Sequence, residues 1–371
     1  MNTVSSTAEL LALSHQVLWA VFAVSVVFGW LAQQTHFCTM GALSDIVNMN
    51  DWSRMRMWVM AIGVAMLAFH AMALLGWIDP ARTFYTAKRV VWLSALLGGG
   101  LFGFGMVLAS GCGSKTLVRI GGGSLKSLVV FFVMGFAALA TLRGLTGVFR
   151  VKVLDTFAFE MTGSSSLSAW LGGLTGVGSA AIWGIGIAML LLVWALVSRS
   201  LWNWPSLAGG LGLGLCVAVM WWITGHMGFV AEHPETLDPV HVATNNGQME
   251  SLTFTAPMAY LMEFLGYYSD TTRVMTTGVV SVLGVVVGSF VYSVWTRSFR
   301  WEGFGSTQDT ALHLVGAVLM GVGGVTALGC TVGQGLSGIS TLSLTSALAF
   351  GGIVAGGLVG LRFQLWLVMR D

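Results

Sequence analysis

Residues 98–112, GGGLFGFGMVLASGC, return as residues 316–330, GAVLMGVGGVTALGC, at a constant offset of 218. Without a gap, Gly98, Leu101, Gly103, Gly105, Ala109, Gly111 and Cys112 fall on Gly316, Leu319, Gly321, Gly323, Ala327, Gly329 and Cys330, more agreement than glycine richness alone supplies. Each copy reads as an apolar helix that ends in Gly-Cys, then a polar stretch of small residues, then a second apolar helix.

Around this repeat the chain is apolar throughout. Windows of about 20 apolar residues, enough to cross a hydrocarbon core of ~30 Å, recur at about 15–32, 56–77, 90–110, 125–142, 176–198, 207–224, 274–296, 310–328 and 342–361. These nine spans predict an all-α polytopic membrane domain covering 1–371, with short re-entrant helices and no barrel, which would show short alternating strands. The two repeat copies begin five spans apart, an odd number, so they cross in opposite directions. The expectation is two inverted, pseudo-symmetric halves of about 1–200 and 201–371. Inverted repeats of interrupted helices are the pattern of transporters, with a site near the midplane where the copies meet, and channels share it.

Composition agrees. Among 371 residues only 9% are charged and 56% hydrophobic, with 50 Gly and 16 Trp, against roughly 25% charged in soluble proteins. A net charge of +2 with scattered cations excludes a nucleic-acid binder. No GxxxxGK[ST] segment supports a built-in ATPase, and the start of the chain does not read as a cleavable signal peptide. With the N-terminus outside and the C-terminus inside, Arg54, Arg56, Lys115, Arg119, Lys126, Arg199, Arg297, Arg300, Arg362 and Arg370 are inside, ten Lys or Arg against seven outside, as the positive-inside rule asks. The hydrophilic stretch 225–273, with Glu232, Glu235, Asp238 and Glu250 and no Lys or Arg before Arg273, reads as an external cap. Its His226, His233 and His241 match no metal-ligand spacing, and neither a metal nor a cofactor is expected.

Four cysteines, Cys38, Cys112, Cys216 and Cys330, form no CxxC pair. Gly103, Gly105, Gly321 and Gly323 read as close-packing positions. Gly111 and Gly329, each just before a cysteine at a break, have the backbone freedom and space that a ligand requires. A helix broken inside the membrane offers free N–H groups and a positive dipole end, both suited to an anion. The thiol at such a point is either a neutral, weak S–H donor or, if Lys115 favours the charged form, a nucleophile. Sequence leaves both open. Cys216, in the middle of an apolar stretch, reads as a small hydrophobe. Lys115, Arg119, Thr331 and Gln334 are candidates to replace the water of an anion. Arg119 has the alternative of snorkelling to the interface, and Gln334 that of bonding a neighbouring helix. His36 stands two residues before Cys38 as a proton acceptor or as a histidine bonded to backbone. Asp45 reads as a cap or a partner of Arg54 or Arg56. Asp45, Asp309 and Glu263 are the modest candidates for proton coupling.

The segments HFCTMGALSD around Cys38, ASGCGSKTLVRIGGGSLKSL around Cys112 and ALGCTVGQGLSGISTLSL around Cys330 together resemble the YeeE/YedE family of bacterial inner-membrane proteins, and the match runs from the first span to the last. The resemblance implies uptake of thiosulfate, or of a related sulfur or selenium anion, that supplies sulfur for cysteine synthesis. It implies a path lined by Cys38, Cys112 and Cys330, whose thiols touch the terminal sulfur in succession through S–H hydrogen bonds without a covalent intermediate. It also implies a cytoplasmic TusA-like sulfur-carrier partner. Lys115 departs from the pattern, which has glycine there, and bears on substrate selectivity. Because thiosulfate is a dianion, bare hydrocarbon opposes it by an amount on the order of tens of kcal/mol. The competing readings are a membrane thiol enzyme working through disulfides or persulfides and a scaffold indifferent to its cysteines.

Overall fold

The computed structural model describes residues 6–161, 163–175, 180–234, 236–270 and 274–369. Glu235, Arg273 and Arg370 of the charge pattern, and the first residues of the fifth expected span, lie outside them. Apart from its connecting loops, the described chain is helical with two antiparallel pairs of two-residue strands. In order it runs α1 (Thr7–Gln34), α2 (Thr39–Met49), α3 (Ser53–Leu74), β1 (Arg89–Val90), α4 (Trp92–Leu108), α5 (Gly113–Gly121), α6 (Leu125–Arg143), α7 (Leu145–Phe149) and β2 (Phe159–Glu160). It continues with α8 (Leu167–Thr175), α9 (Ala180–Leu196), α10 (Trp204–Trp222), β3 (Phe229–Val230), β4 (Val240–His241), α11 (Thr255–Gly266), α12 (Thr277–Trp295), α13 (Thr307–Thr326) and α14 (Leu344–Val368).

Among the described residues, eight stretches are helical, long and apolar enough to cross a membrane. The ninth expected span is α9, whose described residues form an apolar helix of 17 residues. Many outward side chains are large and apolar, among them Trp19, Phe136, Leu190 and Val193, each more than half exposed. In water such a surface would drive aggregation; against lipid it is the stable arrangement. The protein is a multi-pass membrane protein.

Glycines set the central crossing. A Cβ on Gly105 would stand 2.7 Å from the Gly316 carbonyl oxygen, and one on Gly316 2.6 Å from that of Gly105. Gly98 and Gly323 oppose each other in the same way, at 2.8 and 2.6 Å. The repeat aligns Gly98 with Gly316 and Gly105 with Gly323, so the two contacts of α4 with α13 are exchanged by the repeat. Most of the long helices obey the same exchange, while α9, packed on α3, stands outside it. α1 packs on α12 as α10 packs on α3, and α14 packs on α4 as α6 packs on α13. The short α2 rests on α3 and α14, and its counterpart α11 rests on α12 and α6.

Within the aligned stretch Val107 also falls on Val325, and beyond it the second helix of each copy is capped by a serine, Ser124 to the amide of Ser127 and Ser343 to that of Ser346. The serines are 219 apart instead of 218. The additional residue in the second copy is taken up by a π-helical turn, Gly333–Gly338, which holds one more residue per turn than an α-helix.

Loops sort into the two groups that alternating spans require. Ser124 and Gly123 meet Glu302 and Arg300 at one end. At the other, Lys88 meets Met161, Tyr85 meets Ser343, and Arg82 meets Met249. The stretch 225–273 is more than a solvated cap. After β3 and β4 the chain turns inward, with Met249, Leu252 and Phe254 fully buried and α11 embedded through Pro257, Met258, Ala259 and Met262.

Candidate functional site

Three short helices within the bundle begin at a cysteine, whereas α11 begins at Phe254. Cys38 caps α2, its Sγ accepting from the Gly41 amide at 3.5 Å. Cys330 opens residues 331–340, its Sγ accepting from the Gly333 amide at 3.4 Å. Cys112 caps α5 and faces the amide of Lys115, also three residues on. Thus each thiol lies over the first turn of a helix, where free N–H groups and the dipole favour negative charge.

The chain reaches each cap through one device. The residue two before the cysteine holds a left-handed backbone, His36 with φ 51°, Ser110 with φ 56° and Leu328 with φ 60°. This reverses the chain out of the preceding long helix and frees the next helix start.

The structure brings most of the expected residues together. The Cys38 and Cys112 thiols lie within electrostatic reach of each other, and both are free of disulfides. Cys112 Sγ lies 3.2 Å from Ser114 Oγ, with Thr331 beside it, next in chain to Cys330. All three thiols are buried. Around them are buried polar atoms that form no hydrogen bond: Thr39 Oγ1, Thr331 Oγ1, Gln334 Oε1 and the Tyr85 hydroxyl. Buried polar groups normally find partners, so these atoms are suited to a polar occupant. Gln334 meanwhile donates through Nε2 to the Ala327 carbonyl at 2.8 Å, which realises its structural alternative with one half of the amide and leaves the other half free.

A cavity lies toward each end of this line. A cavity of about 430 Å³ is lined by His36, Lys115, Arg119, Arg297, Arg300 and Glu302. Lys115 is within electrostatic reach of Cys38 and Cys112, and Glu302 pairs outward with Lys126 at 2.8 Å. A second cavity of about 360 Å³ is lined by Leu328, Gly329, Arg150, Glu250 and Tyr260, among others. Gly111 and Gly329 take matching positions: a Cβ on Gly111 would meet Lys115 Cγ at 3.1 Å, and one on Gly329 would meet Gln334 Cγ at 3.1 Å.

Cys216 lies within α10, with no polar link to the other thiols. Asp45 pairs with Arg54 at 3.2 Å, as expected. Glu263 pairs with Arg143 at 3.0 Å, and Asp309 with His313. His226 and His241 bind separate backbone carbonyls, of Trp77 and Thr224. Sequence reasoning missed Thr39, Ser114, Tyr85 and Glu250. Thr39 and Ser114 carried a signal, standing in the first turn after a break cysteine. Tyr85 and Glu250 come to the site through long-range packing and had none.

A family profile described as sulphur transport matches residues 34–359, a stretch that holds all three capping cysteines and, apart from Gln33, the lining of both cavities. The chain belongs to this sulphur-transport family, YeeE/YedE. Family relatives include a protein of Spirochaeta thermophila named thiosulfate transporter TsuA, 24% identical over 90% of this chain and 94% of the relative. Another, also named thiosulfate transporter TsuA, comes from Escherichia coli and is 24% identical over 83% of each chain.

Proposed function

We propose that this sulphur-transport family member carries thiosulfate across the bacterial inner membrane through the line of thiols Cys330, Cys112 and Cys38. The observation that carries the reading is the threefold recurrence of a reduced thiol over the first turn of an embedded helix, with a cavity at each end of the line. Helix starts replace part of the ion's water, and the hydroxyls of Thr39, Thr331 and Tyr85 with the free Oε1 of Gln334 supply more contacts. A neutral thiol donates S–H weakly to the terminal sulfur, so each contact is easily broken and the ion moves on. Lys115 and Arg119 hold the ion by charge at one mouth, with Gly111 and Gly329 leaving room beside the thiols and His36 at the rim.

The cationic mouth is the cytoplasmic one, in keeping with the positive-inside rule, so the N-terminus is outside and the C-terminus inside. There the ion passes to a TusA-like sulfur carrier and supplies sulfur for cysteine synthesis. The two halves, 1–200 and 201–371, act as inverted units about the α4–α13 crossing.

Proteoliposomes holding the full chain should accumulate labelled thiosulfate above empty vesicles. Equal uptake by both would remove this reading. A thiol enzyme would instead leave trapped mixed disulfides or persulfides, visible as a mass increase on the protein after exposure to thiosulfate; an unchanged mass during uptake is the expected result.

A further inference from the structure

The second cavity is lined by one carboxyl, Glu250, and one cation, Arg150, where four cations and Glu302 line the first. Glu250 lines this second cavity four residues ahead of Phe254, which caps α11. Since α11 is the counterpart of α2, Glu250 enters at the corner where the other half presents His36 and Cys38. Thr277 Oγ1 donates to its Oε1, and the Glu250 carbonyl accepts from Thr224 Oγ1 at 2.7 Å. Tyr85, whose hydroxyl has no partner, is within electrostatic reach of both Cys330 and Glu250. An ion that touches Cys330 from this side passes Glu250.

The charged groups around Glu250 do not neutralise it. Arg150, across the cavity, is paired with Asp155 at 3.5 Å. Arg143 is paired with Glu263. Tyr260 from α11 and Tyr85 are neutral phenols, and His241, held by the Thr224 carbonyl, is kept from charging by burial. A dianion beside an ionised carboxylate in this enclosed space meets strong repulsion. Burial pushes the Glu250 carboxyl up to about 7, against the opposing hydrogen bonds from Thr277 and the Asn245 amide.

Resting on the thiosulfate reading, we propose that thiosulfate and one proton bind together at this cavity, with Glu250 as the proton acceptor. An aqueous proton adds to the Glu250 carboxylate as the dianion enters, giving a neutral acid, and returns to water when the ion leaves. The coupling is reciprocal: the ion favours the proton as much as the proton favours the ion.

The test is calorimetric titration of the full chain in detergent with sodium thiosulfate, in two buffers of different ionisation enthalpy, from pH 6 to 9. The wild type should take up close to one proton per ion at about pH 8, and its affinity should fall roughly 50-fold between pH 7 and 9. Glu250→Gln should bind with nearly constant affinity and no proton uptake. Thr277→Val, which removes a bond to the charged form, should move the midpoint to higher pH and decides the matter with the wild type if the Gln variant does not fold. Flat wild-type affinity without proton uptake, or a Gln variant with the wild-type profile, would overturn the inference and leave thiosulfate transport intact. No binding by the wild type at any pH would instead strike the thiosulfate reading itself.

Discussion

Ser110 and Leu328, 218 positions apart, share a left-handed backbone, with φ of 56° and 60°, each two residues ahead of a cysteine that opens a short embedded helix. His36 repeats the device ahead of Cys38. A β-branched side chain is poorly tolerated in this region of backbone space. Ser110→Val and Leu328→Val should each lower stability by about 1–2 kcal/mol, whereas the Gly variants should be neutral or mildly stabilising. Thermal unfolding in detergent checks both. Equal melting of the Val and Gly variants would contradict it.

The α4–α13 crossing depends on backbone meeting backbone. Gly105→Ala puts a methyl against the Gly316 carbonyl and should destabilise by about 1–3 kcal/mol. Gly100→Ala, where a Cβ meets nothing within 4 Å, should be silent apart from a small gain in helix propensity. The comparison needs only the yield and melting temperature of purified protein.

Lys115 stands in electrostatic reach of Cys38 and Cys112, at the mouth of the cationic cavity. Lys115→Gly should raise the KM for thiosulfate about tenfold, the size of a charge-assisted hydrogen bond, and weaken the dependence of uptake on ionic strength. An unchanged KM would show that Lys115 points its charge away from the ion.

Glu302 ties the loop after α12 to the start of α6, through its carbonyl to the Leu125 amide at 2.8 Å and its carboxylate to Lys126. The Lys126 hydrogen bond holds its carboxyl below the usual carboxylate range. For an acid with a depressed folded-state value, the stabilisation is complete at neutral pH and is lost as pH falls below about 4. The pair is half exposed, so the effect is small, under about 1 kcal/mol. The melting temperature of Glu302→Gln should fall below wild type at pH 7 and meet it at pH 3. A constant gap would contradict the linkage.

Much of the fold is legible because membrane spans are local signals: a run of apolar residues has few alternatives in lipid. The repeat was legible for a related reason, since close backbone contact admits only glycine, and glycine at both 98 and 105 leaves a pattern that survives in 316 and 323. What local pattern hid lies between 225 and 273. Its acids and histidines read as a solvated cap, yet Met249 to Met262 fold inward under long-range packing, and Glu250 goes with them. Cys38 was a different case. No internal alignment reached it, because its counterpart corner, at the start of α11, carries Phe254 and Thr255 instead of a thiol; only the resemblance of its segment to a family pointed there. The one-residue π-helical insertion at Gly333–Gly338 likewise ended the constant offset, so the capping serines Ser124 and Ser343 fell out of register and were not paired by sequence.

The thiol line is tested most directly by uptake of labelled thiosulfate into proteoliposomes holding the wild type, Cys38→Ala, Cys112→Ala, Cys330→Ala and Cys216→Ala at matched protein content. The account predicts near-normal uptake for Cys216→Ala and a fall of at least about tenfold for each of the other three, from the loss of a contact the ion makes only in transit. Wild-type rates in all four variants would contradict the thiol path while leaving a transporter.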